Sequence, residues 1–305
     1  MKNKIVTIIG GSGFIGSQIA KDLLKLGFLV QIISRDPYKN QDLKTAADVG
    51  HLYFCKGDIN NIEEIKKLVS SSYAVINLVG VLFEKGRQNF YYTHTSFPGK
   101  LASICKELEI PNLIHFSALG VDKAICSNYA KSKYSGEKNI LEQNSNAIIF
   151  RPSVVFGRND DFTNKFKSIL KYSPVFPMIK DGSTKFQPVY VGDVGKAICK
   201  VMQNPKQYYG KTIELGGAKK YTLKNILEII KNLTKSNCML LEMPEKLNYY
   251  TAYLTEFMSK PVLTRDQVAL MRYHNVVSDH SKELKFRDLQ ISPVDFEKTV
   301  SQYIK

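Results

Sequence analysis

Short, almost wholly apolar runs alternate with longer amphipathic ones through the first half of the chain. The runs Ile5–Ile9, Leu29–Ser34, Leu52–Cys55, Ala74–Val79, Leu113–Ser117 and Ala147–Phe150 predict strands. Ala74–Val79 is apolar at nearly every position, as in a strand buried on both faces. Between these runs the period lengthens. Phe14–Leu26 sets Ile15, Ile19, Leu23 and Leu26 on one face, and Gly27 stops it. Asn61, with Glu64 three residues on, marks another helix start. Strand and helix alternating at this spacing predict a doubly wound, Rossmann-type α/β fold with a parallel sheet covered on both sides.

After about Arg151 the alternation loosens. Thr222 is placed to cap a helix over Leu223–Leu233. Pro244–Phe257 puts Leu247, Tyr250, Leu254 and Phe257 on one stripe, which reads as core in preference to an interface. Thr264-Arg265-Asp266-Gln267 fits a capping box and predicts a helix to about Tyr273. Ser292-Pro293-Val294-Asp295 predicts the last helix, with Pro in its first turn. No internal repeat or low-complexity linker appears. The expected organisation is a dinucleotide-binding domain over residues 1–150 and a smaller, mainly helical lobe over 151–305, interleaved with the sheet.

Composition narrows the classes. The chain has 305 residues, 44% hydrophobic and 23% charged, which is ample for a sizeable core. The longest nearly apolar run, Ala74 to Phe83, is too short to span a bilayer, so no transmembrane segment is expected. The opening apolar run lacks a following cleavage site and reads as a strand, not a signal peptide. A cytoplasmic protein is expected, with peripheral attachment to the inner face of the membrane left open. Cys55, Cys105, Cys126, Cys199 and Cys238 are scattered singly, which argues against disulfides and a metal site. The net charge is +15 and leans to the second half. Residues 151–305 carry 25 basic against 15 acidic side chains, and residues 1–150 carry 18 against 13. Of the basic residues 36 are Lys and only 7 are Arg, and they form no long blocks, so nucleic acid is not an expected partner.

Gly10-Gly11-Ser12-Gly13-Phe14-Ile15-Gly16 directly follows the first strand and opens the first helix. In that context G-x-x-G-x-x-G predicts a diphosphate cradle. Gly10 turns the chain, Gly13 admits a pyrophosphate and Gly16 lets the helix pack on the sheet. The helix N-terminus offers free N–H groups to the phosphates. The second strand ends in Ser34-Arg35, a hydroxyl and a guanidinium suited to a 2′-phosphate. This favours NADP(H), while Asp36 keeps NAD(H) open. Asp58 and Ile59, after the third strand, are placed to meet the adenine; the competing role for Asp58 is a turn.

Tyr129-Ala130-Lys131-Ser132-Lys133 is Y-x-x-x-K, with Tyr129 and Lys133 one helical turn apart. A lysine cation there lowers the phenol pKa and reaches the nicotinamide ribose. On these residues the chain resembles the extended short-chain dehydrogenase/reductase superfamily over essentially its whole length. Asn77-Leu78-Val79-Gly80 and Arg151-Pro152-Ser153 carry the likeness further. Within the superfamily it is similar to the atypical branch typified by the nucleotide-binding accessory subunit of respiratory complex I, the alpha-subcomplex subunit 9 family. His115-Phe116-Ser117-Ala118-Leu119-Gly120, Gln187–Val194, Glu214-Leu215-Gly216-Gly217 and Pro261–Val268, continuing to Asn275-Val276-Val277, support that branch.

The resemblance implies bound NADPH, with Asn77, Val79, Gly80, Pro152 and Ser153 joining the cofactor site, and a structural role at a membrane-associated respiratory complex that handles quinone. It also marks departures. The hydroxyl that polarises a substrate carbonyl falls at Leu119, which cannot donate, and Ser117 stands two residues back. His94 replaces an expected Asn, and His274 precedes Asn275 where an acid is expected. For both, local packing or hydrogen bonding is the preferred role.

Three functions follow. One is a nucleotide-binding structural or assembly subunit. The second is a working oxidoreductase or epimerase acting through Tyr129, Lys133 and a displaced Ser117 on a quinone-related, nucleotide-sugar or isoprenoid carbonyl. The third, a redox-sensing regulator, has no positive feature behind it.

Overall fold

The computed structural model describes residues 4–37, 41–46, 48–86, 88–179, 181–258, 261–278 and 280–304. Six strands, β1 (Ile5–Ile9), β2 (Leu29–Ser34), β3 (Leu52–Lys56), β4 (Ala74–Asn77), β5 (Asn112–Phe116) and β6 (Ile148–Pro152), form the first part of a parallel sheet. Between them run α1 (Phe14–Lys25), α2 (Ile62–Val69), α3 (Phe97–Glu107) and α4 (Asn128–Gln143). A turn of π-helix, Tyr91–Ser96, leads directly into α3. The Asn61 carboxamide oxygen accepts the Glu64 N–H at 3.3 Å and caps α2.

The remaining strands are short. β7 (Val155–Phe156) pairs in parallel with β10 (Val189–Tyr190), β8 (Val175–Ile179) in parallel with β13 (Met239–Met243), and β9 (Lys185–Phe186) antiparallel with β12 (Tyr221–Thr222). β11 (Thr212–Leu215) and β14 (Leu284–Lys285) return to the main sheet. Its order is β14-β11-β6-β5-β4-β1-β2-β3. β1 lies between β2 and β4, with Ile5 opposite Leu29 and Val6 opposite Ala74. The strand order therefore reverses at β1, and the crevice at the carboxyl ends of β1 and β4 is the switch point where such sheets take ligands.

Alternation along β1 divides the core. Val6 and Ile8 pack with Ile19, Leu23 and Val194, under α1 and α6 (Val191–Gln203). Ile9 packs with Ile33, Ile65 and Leu101, under α2 and α3. A third cluster joins α5 (Asp161–Tyr172), α7 (Leu223–Leu233) and α10 (Phe296–Val300). Thr222 caps α7 through a reciprocal box with Asn225.

Three expectations need correction. The helix expected over Pro244–Phe257 is α8 (Glu245–Thr255), and its stripe is not core. Tyr250, Leu254 and Phe257 are 67%, 69% and 76% exposed, whereas Asn248 and Ala252 are buried. The Asn248 amide donates to the Met178 and Met243 carbonyls, which holds the polar side inward. The helix opened by Thr264 has its capping box but ends early, as α9 (Arg265–Leu270). The last helix starts at Phe296 under an Asp295 cap, so Pro293 lies before it. Among the described residues no helix is long and apolar enough to cross a membrane.

Candidate functional site

Gly10 leaves β1 at φ +82°, a left-handed conformation natural to glycine, and its N–H donates to Ile33 O at 2.9 Å. The turn then folds under α1. A Cβ on Gly16 would stand 2.5 Å from Gly11 Cα, so Gly16 is required by the turn's own backbone, not by the sheet as expected. Gly13, the N-cap of α1, has no side chain capping the helix. A Cβ at Gly13 would meet only Gly10 O, at 3.4 Å. Internal packing therefore does not demand glycine at 13, and bare N–H groups with a positive dipole end face the crevice. These are the features that fit a diphosphate. Ser12, Phe14 and Ile15 complete the turn and are partly buried.

At the tip of β2 the Ser34 hydroxyl is buried with no hydrogen-bond partner. Arg35 is exposed, and the Gln88 carboxamide lies beside it; turned with its oxygen toward the guanidinium, it would accept from Arg35 Nη2 at 2.9 Å. Asp58 is in a turn: its Oδ1 accepts the Asn60 N–H at 3.0 Å and the Asn60 amide at 2.8 Å. The Ile59 carbonyl accepts Tyr92 OH at 2.6 Å, which ties the π-helix to this loop.

Across the crevice, Asn77 Oδ1 accepts Val79 N–H at 3.1 Å, and its amide donates to His115 Nδ1 at 3.1 Å. Residues 77–80 thereby pass over α4. A Cβ on Gly80 would lie 3.2 Å from Lys133 Nζ. Lys133 is 5% exposed and donates to Phe116 O at 3.0 Å. Burial lowers its ammonium pKa to about 8, and Glu137 one turn on opposes the shift. Burial, aided by the Asp266 charge, raises the Tyr129 phenol to about 12.

His94 is a local hydrogen-bonding residue. Its Nε2 accepts the Val81 N–H at 3.0 Å, which leaves Nδ1–H to donate to Ser132 Oγ at 2.9 Å. Ser132 Oγ donates in turn to the Tyr129 carbonyl at 2.8 Å. Burial first and Lys133 second hold His94 neutral, with a pKa of about 2. A Cβ on Gly136 would stand 1.8 Å from His94 O, so α4 seats against the π-turn only with glycine there. His274 is exposed, and its Nδ1 accepts the Lys185 N–H at 3.1 Å.

The hydroxyl position is filled by an inert side chain. Leu119 is buried, its N–H donates to Pro152 O at 2.9 Å and its carbonyl accepts the Asn275 amide at 2.8 Å. The Ser117 hydroxyl is buried without a partner. Pro152 is the last residue of β6, and the Ser153 hydroxyl is committed to Asn275, donating to Oδ1 at 2.5 Å.

Two arrangements escaped the sequence. Asp266 caps α4 from another element: it accepts from Ser127 Oγ at 2.8 Å, Asn128 N at 2.6 Å and Tyr129 N at 3.2 Å. Arg151 holds α4 from beneath, through a two-pronged contact to Glu137 at 2.9 and 2.6 Å. Asp122 and Glu214 lie 3.5 and 3.9 Å from the same guanidinium, and burial raises the Glu214 pKa. The T-x-D-Q spacing was legible as a cap for α9, but nothing local showed that its Asp serves a second helix.

A model of the NAD dependent epimerase/dehydratase family matches residues 6–216. The chain belongs to that family. It is also 30% identical over 296 residues to the "NADH dehydrogenase [ubiquinone] 1 alpha subcomplex subunit 9, mitochondrial" of Rattus norvegicus, covering 96% of this chain and 78% of that protein. The subunit of the same name from Arabidopsis thaliana is 29% identical, covering 95% and 74%. Among solved structures, the UDP-glucuronic acid 4-epimerase of Bacillus cereus, in complex with UDP-glucuronic acid and NAD, superposes with a TM-score of 0.71. It shares 19% identity over 98% of each chain, a likeness of fold. The family accounts for the parallel sheet and the nicotinamide-dinucleotide crevice above β1.

Proposed function

We propose that the chain is an NADP(H)-binding structural or assembly subunit of a complex I-type respiratory assembly, attached peripherally at the inner face of the membrane. The glycine turn of residues 10–16 and the N-terminus of α1 that it opens hold the diphosphate. Ser34 and Arg35 take the 2′-phosphate, with Gln88 steadying the guanidinium. Asp58 and Ile59 flank the adenine, and Asn77, Val79 and Gly80 cover the middle of the molecule. Tyr129 and Lys133 hold the nicotinamide ribose, beside the Pro152 and Ser153 backbone. The bound dinucleotide would supply a hydride, but the residues around the reacting end support retention over turnover.

One observation carries this reading: the carbonyl-polarising position is occupied by buried Leu119, tied at both its N–H and its carbonyl. Losing such a donor costs on the order of 10²–10³ in rate. The high phenol pKa of Tyr129 agrees with it. The relatives' names supply the assembly, and the outward apolar stripe of α8 supplies a surface for it. A second reading, an active oxidoreductase or epimerase, is favoured by the surviving Tyr129–Lys133 pair.

The test is cofactor content. Full-length protein should keep near-stoichiometric NADP(H) through gel filtration, and Tyr129→Phe should keep most of it. Recovery of apo protein with weak NADPH affinity would contradict the proposal. NADPH consumption abolished by Tyr129→Phe would establish the second reading instead.

A further inference from the structure

Beside the nucleotide crevice, between the loop after β4, the start of α4 and the α8–α9 pair, lies a cleft of ≈ 500 Å³. Its described lining is acidic. Glu84, Glu256 and Asp266 stand against Arg265 alone, on a chain whose net charge is +15. Arg265 is already engaged by Glu256, donating its N–H at 2.8 Å and its guanidinium at 2.9 and 2.8 Å. Glu84 accepts the Phe90 N–H at 2.7 Å. Asp266 accepts from Ser127 Oγ, Asn128 N and Tyr129 N at the head of α4. Among the described residues neither Glu84 nor Asp266 has an ion pair. The positive end of α4 offsets part of the Asp266 charge, but Glu84, which is exposed, has no such help.

Aromatic rings share the space. Phe83, Phe90 and Tyr249 belong to its wall. The Arg265 guanidinium lies over the Tyr249 and Tyr253 rings, at 5.7 and 5.0 Å, so these faces already take a planar cation. The rim is apolar on two sides. Leu82, next to Phe83, is 58% exposed. Phe257, in ring contact with Tyr253, is exposed, as is Val262 beside Pro261.

Acid, aromatic wall and apolar rim together select the occupant. A phosphate would meet like charge, and a bare hydrocarbon would desolvate carboxylates without compensation. An arginine suits all three features. Its guanidinium forks onto a carboxylate and stacks on rings, where a lysine offers only a point charge, and apolar neighbours close the rim around such an anchor. We infer that the cleft and its rim dock a partner protein, which inserts an arginine beside Glu84, against the rings of Phe83 and Tyr249, and lays apolar side chains over Leu82 and Phe257. The inference rests on the reading of the chain as a subunit of an assembly and takes nothing from its cofactor. Arg87 and Lys260 are near the lining in sequence but outside the described residues, so the test includes them.

The experiment is calorimetric titration of full-length protein by the capped peptide Leu-Leu-Arg-Leu-Leu, by the same peptide with citrulline in place of arginine, by Gly-Gly-Arg-Gly-Gly and by arginine amide. The arginine peptide should bind at least about tenfold more tightly than the citrulline peptide, which keeps the shape and loses the charge. It should exceed the glycine-flanked peptide by about tenfold or more, through the rim. Glu84→Gln keeps an acceptor for the Phe90 N–H and should remove most of the preference for arginine over citrulline. Leu82→Ser should weaken both leucine peptides. Equal binding of the arginine and citrulline peptides, or no heat from either, would overturn the inference. So would arginine amide binding as tightly as the leucine peptide, which would mark a site for a free amine with no docking rim. Loss of the arginine preference in Arg87→Ala or Lys260→Ala would overturn it too, because removing a cation can only deepen an acidic cleft. The peptide comparison needs no variant, so it decides even if a substitution unfolds the chain. NADPH titration of the same samples separates the readings. Indiscriminate peptides in protein that holds NADPH remove the docking site alone, and discriminating peptides in protein that ignores NADPH remove the cofactor reading and leave the docking site standing.

Discussion

In the half of the molecule built on β1 to β6, apolar side chains fill both faces of the sheet, and a group of buried polar ones gathers at one crevice, apart from Thr7, Ser72 and Asn112 elsewhere in and beside the sheet. His94, His115, Asn77, Ser117 and Lys133 all lie at the carboxyl ends of β4 and β5 or on the helices over them. In α8 and the turn after it the relation reverses: Asn248 and Ala252 are buried, while Tyr250, Leu254 and Phe257 are exposed. A hydrophobic stripe at helical spacing therefore marks a face that favours a covering, whether or not the chain itself supplies it. The first region is complete once a dinucleotide occupies it, whereas α8 presents a surface to something else.

The sharpest way to break this contrast is to unpair the buried charges under α4. Arg151→Met would leave Glu137, Asp122 and Glu214 without their cation. We expect a loss of about 3–5 kcal/mol, read as a lower denaturant midpoint at unchanged m-value. A loss under about 1 kcal/mol would mean that the cluster is solvated and does not anchor α4.

Next in size is the pH response. His94 and His115 are held neutral in the fold, both well below their ordinary range. Below about pH 6.5 the unfolded chain binds protons that the native chain refuses, so stability falls as pH drops toward the folded values. His94→Asn should flatten that decline. Lys133 acts at the other end. Its folded pKa of about 8 lies below the ordinary 10.5, so the unfolded chain binds the extra proton between those values and stability rises from pH 8 to 10.5. Lys133→Met should remove this rise, and equal slopes in wild type and variant would refute the buried-cation account.

The smallest effect belongs to α8. Leu254→Ser, 69% exposed in the native chain, should change stability by no more than about 0.5 kcal/mol. A loss of about 2 kcal/mol or more would show that the stripe is core after all and would erase the contrast.

What the sequence disclosed was local. The β1 strand, the glycine turn and the caps at Asn61, Thr222 and Thr264 depend on residues within a few positions of one another. Their starting points agree with the fold, although the helix capped by Thr264 ends early, β4 stops at Asn77, and β5 and β6 shift by one or two residues. The direction of the α8 stripe was not legible, because period fixes a face and not what lies opposite it. Asp266 at the head of α4 and Arg151 beneath it join residues far apart in the chain, and no spacing rule connects them. The rise in the Tyr129 pKa was hidden for a related reason: Y-x-x-x-K states the lysine's proximity but not the burial that outweighs it. Leu119 was the exception, visible because a motif position lacked its hydroxyl.

The most direct measurement is calorimetric titration of ligand-free, full-length protein with NADPH and NADH, repeated on Arg35→Ala. NADPH should bind one per chain and more tightly than NADH, and Arg35→Ala should lose about 1–3 kcal/mol toward NADPH while leaving NADH almost unchanged. Heat changes indistinguishable from dilution for both dinucleotides would contradict the account at its root.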